Sequence, residues 1–570
     1  MASRQLLQPM DVTSLKAVLS EWRHQLLPSR FEKAQQPEPQ AIQLGLRNLA
    51  GMQWLLLSWQ ADAARLHRID QPPREGEGST LAQQLQHGLR GLALVEIHQP
   101  GWERVVEFGF ARRPDEPVER WLVAELMGRR SNLMLLDGQR QVVTMARQVK
   151  DHQSRLRPLT TGDLYASPPP LRGEPPQHSA RREDWQRRLM LRPQPLAEAL
   201  LETYQGVSPA LVRQLLDDEQ RQRCVSQLDE ATWALLWQRW SLWLDAVARD
   251  GFGWWQQEVG YRCWQDLAVT ALPRPVPAAP EGWWINHGIA SYYESRLKQR
   301  RLLARRQRLL LILQRGIQQE TGKLQQQQAL LALTGSGEAL KRQADQLLSQ
   351  EAPSKACILE SQKLYRQARK LRRSVEAIEQ RLALHHQKLE ALEASLVFVD
   401  QAADQEDLED LAQEIELWQE RRRPRKATPA SFRDRHHPVP LELRTPGGLT
   451  VQVGRNHRQN EWISLRQARR GDLWFHAQEN PGSHVVLKSS LGPAAEADQQ
   501  LAADLAAHFS RGRGNRHVPV VMVPTHDLQR IPGAAPGTVR HRGGTLLWGE
   551  PDRALAALDK TPSLREAHQR

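Results

Sequence analysis

The sequence predicts a multidomain α+β protein in four parts: a mixed α/β domain over 1–170, a helical segment over 195–264, a long antiparallel coiled-coil hairpin over 290–400, and a second α+β domain over 440–550. Three observations carry this. At 570 residues the chain is too long for one core. Short apolar runs punctuated by Gly and Pro occur near both ends, as strands joined by turns require. Between them leucines recur every seventh residue, the mark of helices that bury one seam.

In the first part, Asp11 is positioned to cap a helix from Val12 to Trp22, with Val12, Leu15, Leu19 and Trp22 on one face. Strands are expected at Ala41–Leu46, Trp54–Trp59, Ala93–His98, Arg104–Phe110 and Leu133–Asp137, with the turn Gln99, Pro100, Gly101 between two of them. The Pro- and Arg-rich stretch from Ser167 to Asp184, followed by RPQP at Arg192, has little to bury and reads as a linker. Leu196 to about Trp264 reads helical. Its turn Gly206, Val207, Ser208, Pro209 suits a helix-hairpin-helix whose N–H groups face a phosphate, although the sequence alone favours an ordinary helix stop. Residues 265–289 form a Pro- and Trp-containing connector.

From about Ser291 the heptad row is Leu303, Leu310, Ile317, Leu324 and Leu331. A returning arm carries Leu364, Ala368, Leu371, Val375, Ile378 and Leu382 in steps of four and three. The breaks at Gly335–Gly337 and Glu351–Ser354 flank a helical piece, Leu340 to Leu348. An arm of roughly 45 residues would reach roughly 65 Å. Such a rod is either a dimerisation device or a strut spanning a large partner. Lys298, Arg300, Arg301, Arg305, Arg306 and Arg308 on one arm, with Arg366, Arg369, Lys370, Arg372 and Arg373 on the other, suit a surface facing RNA. A basic linker, Arg421–Lys426 and on to Pro440, leads into the last domain.

The last domain holds the densest signal, Gly447 to Lys488. Arg455, Arg458, Arg466, Arg469 and Arg470 lie between two alternating apolar runs, and Trp474, Phe475, His476 and His484 follow. Cations neutralise phosphates and exposed flat rings stack on unpaired bases, so the pattern reads as RNA binding; composition alone equally allows a solvated basic face. Arg455, Asn456, Arg458, Gln459 and Asn460 offer planar donors and acceptors, with Trp474, His476, His484 and Lys488 completing the candidate RNA-binding set. His484 reads either as a stacking residue or as a structural histidine.

The net charge of +13 and pI near 9.9 point to a polyanion, nucleic acid or an acidic membrane surface. No apolar stretch approaches the roughly 20 residues of a spanning helix, and the N-terminus lacks the basic head and apolar run of a signal peptide. A cytoplasmic protein with no membrane partner is therefore expected. Cys224, Cys263 and Cys357 lack ligand spacing, so neither a disulfide framework nor a metal site is expected. No phosphate loop or nucleophile elbow appears, so no catalytic residue and no cofactor are assigned and the protein is not expected to be an enzyme. The 19 Trp point to no function.

The run GRNHRQNE from Gly454, followed by GDLWFHAQENPGSHVVL from Gly471, resembles the NFACT-R domain of the bacterial RqcH family, relatives of eukaryotic NEMF. Asp11–Leu19, Ala64–His67 and Glu125–Leu133 are similar to NFACT-N, Arg157–Tyr165 to that domain's exit, the GVSP turn to the family's helix-hairpin-helix, and Ser361–Lys370 to its returning coiled-coil arm. The resemblance covers nearly the whole chain and omits only the eukaryotic C-terminal extension.

It implies a ribosome quality control factor. Such proteins bind the large ribosomal subunit, both rRNA and ribosomal proteins, when it is obstructed by stalled peptidyl-tRNA, and recruit alanyl-tRNA for C-terminal alanine tailing without mRNA. The family's Asp-Arg pair, needed for tRNA recruitment, corresponds here to Glu103 and Arg104, so the carboxylate arm is one methylene longer. The guanidinium is suited to phosphate and the carboxylate to base or ribose donors. Without the resemblance, two surface charges would be the favoured reading. Asp11, Arg129, Arg130 and Asn132 join the implied tRNA-binding set, although turn chemistry alone explains Gly128, Ser131 and Asn132. Two alternatives follow from the same resemblances. NFACT-N with a helix-hairpin-helix is similar to the Fpg/Nei DNA glycosylases, but the chain begins Met1, Ala2, Ser3 without the proline amine those enzymes use, leaving a DNA-binding protein without glycosylase activity. The family's older fibronectin-binding label gives an adhesin.

Overall fold

The computed structural model describes residues 7–76, 78–150, 152, 154, 156–266, 279–333, 337–349, 354–420, 438–531 and 536–558. Met1–Ser3, Gly335 and Ser336, Glu351 to Pro353 and the basic run Arg421–Lys426 lie outside them. The chain divides into two compact units, one ending at Lys298 and one beginning at Gln299.

The first unit opens with helix α1 (Val12–Leu26), capped as expected by Asp11, whose carboxylate accepts from Ser14 N at 2.9 Å. Strands β1 (Ser29–Glu38), β2 (Ala41–Asn48), β3 (Gly51–Ser58) and β4 (Arg65–Ile69) precede helix α2 (Thr80–Leu89). Then come β5 (Ala93–His98), β6 (Val105–Ala111), β7 (Arg120–Glu125), β8 (Asn132–Asp137) and β9 (Val142–Met145). All pair antiparallel in one sheet ordered β4-β3-β2-β1-β5-β6-β7-β8-β9. The five expected strands are present, and β1, β4, β7 and β9 complete the sheet. β1 spells SRFEKAQQPE, too polar to stand out, yet it buries Phe31 and Ala34 at the centre of the sheet. Leu15, Leu19 and Trp22 of α1 pack onto the sheet together with Ile285, Ile289, Tyr292 and Tyr293.

A helical part follows: α3 (Arg182–Leu189), α4 (Leu196–Thr203), α5 (Pro209–Leu215), α6 (Asp218–Gln222) and α7 (Glu230–Ala248). Here the linker expectation is corrected. Its end forms α3, because Trp185 supplies one large anchor among the arginines and is buried against Trp233, Trp237 and Trp240. Trp240 also meets Trp243 at 4.9 Å. These tryptophans are thus core material, packed with Leu196, Leu200, Leu211 and Leu215 of the neighbouring helices. The helical reading to Trp264 is also corrected: β10 (Trp255–Gln257) and β11 (Gly260–Arg262) form a hairpin. Helix α8 (Trp284–Leu333) begins in this unit.

In the second unit α8 is followed by α9 (Gly337–Leu348), α10 (Lys355–Gln401) and α11 (Gln405–Glu420). Leu309 and Leu313 pack with Phe398, Val399, Leu408, Leu411 and Ile415, and buried Glu320 meets His385 Nδ1 at 2.8 Å. In the returning row Ile378 is buried, and Leu364, Ala368, Leu371, Val375 and Leu382 are half-buried. In the outgoing row Leu303 is 44% exposed, Leu310, Ile317, Leu324 and Leu331 are half-buried, and Leu309, Leu313 and Glu320 beside them are buried.

The last domain has β12 (Leu441–Arg444), β13 (Thr450–Val453), α12 (His457–Glu461), β14 (Leu473–Ala477), β15 (Val485–Leu487), α13 (Glu496–His508), β16 (Val518–Pro524), β17 (Leu528–Arg530), β18 (Val539–His541), β19 (Thr545–Gly549) and α14 (Pro551–Leu558). Six strands form an antiparallel sheet ordered β12-β13-β15-β14-β16-β19, and β17 pairs with β18. One sheet face, with Phe475, Val485, Val518 and Val520, packs on the alanines of α13. The other, with Trp474, Val486 and Val523, packs under Ile463 and Leu528.

Candidate nucleic-acid interface

In the first unit the sheet brings separated segments to one end. Val105 pairs with Glu125, and Glu125 with Asn132. The turn that carries Glu103 and Arg104 therefore lies beside the single 3₁₀ turn of Gly128–Arg130, where Arg129 and Arg130 are exposed. Both residues of the pair are half-buried and stand just before β6, not within it. The turn is tied by Glu103 N to Pro100 O at 3.1 Å, Gln99 Nε2 to Glu103 O at 2.7 Å and Leu126 N to Arg104 O at 2.9 Å. Burial raises the Glu103 carboxyl above its ordinary range, opposed by the Leu171 N–H and the Arg104 charge. Trp102, in the same turn, packs on Trp243 at 5.4 Å, and Lys16 Nζ lies 5.5 Å from its ring.

The GVSP turn meets this loop. Gly206 has φ +75°, and a Cβ there would stand 2.7 Å from the Trp102 ring, so glycine is required on both counts. Ser208 caps α5 and donates to Asp11 Oδ2 at 2.6 Å. Asp11 is thus buried with both oxygens engaged. Asn132 is likewise internal, donating to Arg147 O at 2.8 Å and accepting from Leu133 N and Arg147 N at 3.0 Å. Of the six tRNA-site candidates, the structure leaves Glu103, Arg104, Arg129 and Arg130 near solvent and puts Asp11 and Asn132 in the framework behind them.

Sequence reasoning missed the clamp that holds this end. Glu125 accepts from Arg157 Nη1 at 2.9 Å, from Arg157 Nη2 at 2.6 Å and from the Tyr165 hydroxyl at 3.0 Å. Tyr165 lies 5.4 Å from both the Arg157 and Arg140 guanidinium groups, and Arg140 in turn grips Glu107. The signal was present in two stretches, Glu125–Leu133 and Arg157–Tyr165, whose contact the sequence does not encode locally.

In the last domain the exposed-aromatic reading is corrected. Trp474 is only 2% exposed, lying parallel to His476 at 5.6 Å and edge-on to His484 at 5.0 Å. Asn456 caps α12, Gln459 Oε1 accepts from Arg455 N and Asn460 Oδ1 from His484 N, all three buried. Arg455 pairs with Asp407 at 2.8 Å, and Lys488 reaches Asp472 at 3.4 Å, its ammonium lowered chiefly by burial. His484 accepts or donates at Nδ1 with Ser464 at 2.8 Å, which is the structural alternative for this residue. Arg458 remains exposed, its backbone N–H donating to Glu414 at 3.0 Å. Beside these residues a cleft of about 540 Å³ is lined by Trp474, His476, His484, Val521 and His541. Burial holds His476 down at about 4, so the cleft presents a neutral ring at pH 7.

Among the described residues no group of three His, Cys, Asp or Glu is arranged to hold a metal, and no helix is long and apolar enough to cross a membrane.

The wide antiparallel sheet, the tryptophan-cored helices and the helix-backed second sheet define an NFACT-type protein. Residues 11–355 and 352–430 match the NFACT N-terminal and middle domains, and 441–543 the NFACT protein RNA binding domain. The chain belongs to the RqcH family of these proteins. It is 24% identical to the Rqc2 homolog RqcH of Streptococcus pneumoniae serotype 2 (strain D39 / NCTC 7466), over 96% of this chain and 99% of that protein. The Rqc2 homolog RqcH of Bacillus subtilis (strain 168) is also 24% identical, over 93% of this chain and 96% of the relative. Among solved structures, the C-terminal part of the fibronectin/fibrinogen-binding protein from Streptococcus suis matches with TM-score 0.38 and 24% identity, over 45% of this chain and 99% of that one. The N-terminal part of the same protein matches with TM-score 0.38 and 20% identity, over 50% and 99%.

Proposed function

We propose that this protein acts in ribosome quality control: it binds large ribosomal subunits obstructed by peptidyl-tRNA and recruits alanyl-tRNA for mRNA-independent alanine tailing of the stalled chain. The observation that carries this reading is the convergence of the Glu103–Arg104 turn and the Arg129–Arg130 turn at one end of the nine-stranded sheet. Three guanidinium groups with one carboxylate suit a folded RNA backbone beside a base or ribose donor. Helices α8 and α10 serve as an antiparallel coiled-coil strut whose basic segments track rRNA, and the last domain adds an RNA contact. The protein works in the cytoplasm by positioning RNA and peptide and makes no covalent bond itself.

Sedimentation of the pure protein with isolated large and small subunits tests this. Preferential pelleting with large subunits, weakening steeply as salt rises, is the expected result. Equal partition between the subunits, or no pelleting at low salt, would overturn it.

A further inference from the structure

Trp548 is 57% exposed and Leu546 49% exposed, an unusual pair of large apolar groups to leave in water. Both lie on β19, the edge strand of the six-stranded sheet and beyond residue 543, where the RNA-binding-domain match ends. Successive side chains of a strand alternate faces. Leu547 points into the α13 core, so Leu546 and Trp548 share the opposite face. That face is continuous with the cleft: His476 pairs with Val521, and Val521 with Leu546. A row of neutral ring, valine and leucine thus runs from the cleft to the sheet edge, with Trp548 beside it.

The surrounding charge says what would cover this row. Arg540 lies on β18, Arg542 in the turn between β18 and β19, and Arg516 two residues before β16, whose first residue Val518 pairs with Gly549 at the far end of β19. All three are exposed and form no ion pair among the described residues. The nearby carboxylate of Glu550 is already approached by Arg553 at 3.4 Å and His517 at 3.7 Å. Cations therefore bracket Leu546 and the exposed Trp548 ring over the length of a five-residue strand, about 17 Å. A peptide strand added to this edge would find it partly taken. The Trp548 carbonyl accepts from Gln500 Nε2 and the Glu550 N–H donates to Asp504, both at 2.8 Å.

We infer that the face formed by Trp548, Leu546 and Val521, flanked by Arg516, Arg540 and Arg542, binds single-stranded RNA by stacking an unpaired base on Trp548. The surface lies outside the residues the sequence singled out, most of which are buried. It deepens the RNA-binding reading of this domain and rests on that reading. Stacking is sequence-tolerant and needs a free π-face, which Trp548 offers and Trp474 does not.

The test uses the full chain and a fluorescein-labelled 15-nucleotide oligouridine, with a duplex of equal length beside it. Trp548→Ala should weaken single-strand binding about tenfold while leaving duplex binding unchanged, and Trp548→Phe should restore most of it. Arg542→Ala should weaken both and reduce the salt dependence. Single-strand affinity unchanged in Trp548→Ala overturns the inference, as does an equal loss for both RNAs. If instead wild type is a dimer by light scattering and Trp548→Ala a monomer with unaltered RNA binding, the face joins two copies and the inference is wrong. No ribosome enters the assay, so failure to pellet with large subunits would sink the quality-control reading without touching this result.

Discussion

Asp11 Oδ2 accepts the hydroxyl of Ser208 at 2.6 Å across 197 residues, while Asp11 Oδ1 caps its own helix. One carboxylate therefore fixes both the start of α1 and the start of α5, and through Gly206 against Trp102 it backs the turn that carries Glu103 and Arg104. Ser208→Ala leaves a buried acceptor short of a partner, at roughly 1–3 kcal/mol. Faster amide exchange in residues 99–104 than in wild type is expected by mass spectrometry, with Gly206→Ala more severe. Unchanged exchange would break the link between the two turns.

Arg104→Ala should abolish alanine tails on stalled chains while large-subunit pelleting persists. Loss of a charge-assisted contact amounts to roughly 1.5–3 kcal/mol, about ten- to a hundredfold in tRNA affinity. Glu103→Asp should keep or improve tailing. Normal tailing in Arg104→Ala, or detachment from the subunit, sinks the assignment.

Removing one partner of the buried Glu125–Arg157 pair strands the other charge. Arg157→Ala should destabilise the first unit by roughly 3–5 kcal/mol. Tyr165→Phe, which removes one hydrogen bond to Glu125, should cost only about 1 kcal/mol. Thermal unfolding of the three proteins orders them; equal midpoints would deny the clamp its role.

The rod can be shortened without touching its base. Excising residues 322–382 behind a short linker keeps Leu309, Leu313, Glu320 and His385, and also the contact of Ser395 Oγ with His457 at 3.0 Å. A strut predicts lost subunit binding with both units folded; a dimerisation device predicts a monomer that still pellets. Light scattering beside sedimentation separates them.

Burial holds His457 and His476 down at about 4, and His484 also lies well below its ordinary range. Each is neutral when folded and protonates more readily when unfolded, so the stability they contribute is lost as pH falls from about 6.5 toward 4, at up to about 1.4 kcal/mol per pH unit per histidine. Glu414, pushed up to about 7 by burial, acts oppositely and costs stability as pH rises toward 7. The histidines outnumber it. Melting of the second unit should therefore come at lower temperature at pH 5 than at pH 7, and Glu414→Gln should widen that difference by removing the opposing group.

By itself the sequence determined the elements whose cause is local. Asp11 with its following apolar face specifies α1, the Gln99, Pro100, Gly101 turn separates β5 from β6, and the period of Leu364 to Leu382 specifies a helix there, because capping, turn chemistry and periodicity act within a few residues. Family resemblance added the domain order. Only tertiary structure decided which polar residues face solvent. Asn132, Asn456, Gln459 and Asn460 read in the sequence as free donors and acceptors, yet each is taken up by a backbone group inside the fold. Trp474 and Trp548 are chemically identical in the sequence. One lies under β17 and β18 and the other on an open edge, a difference set by strand order and by what covers each face.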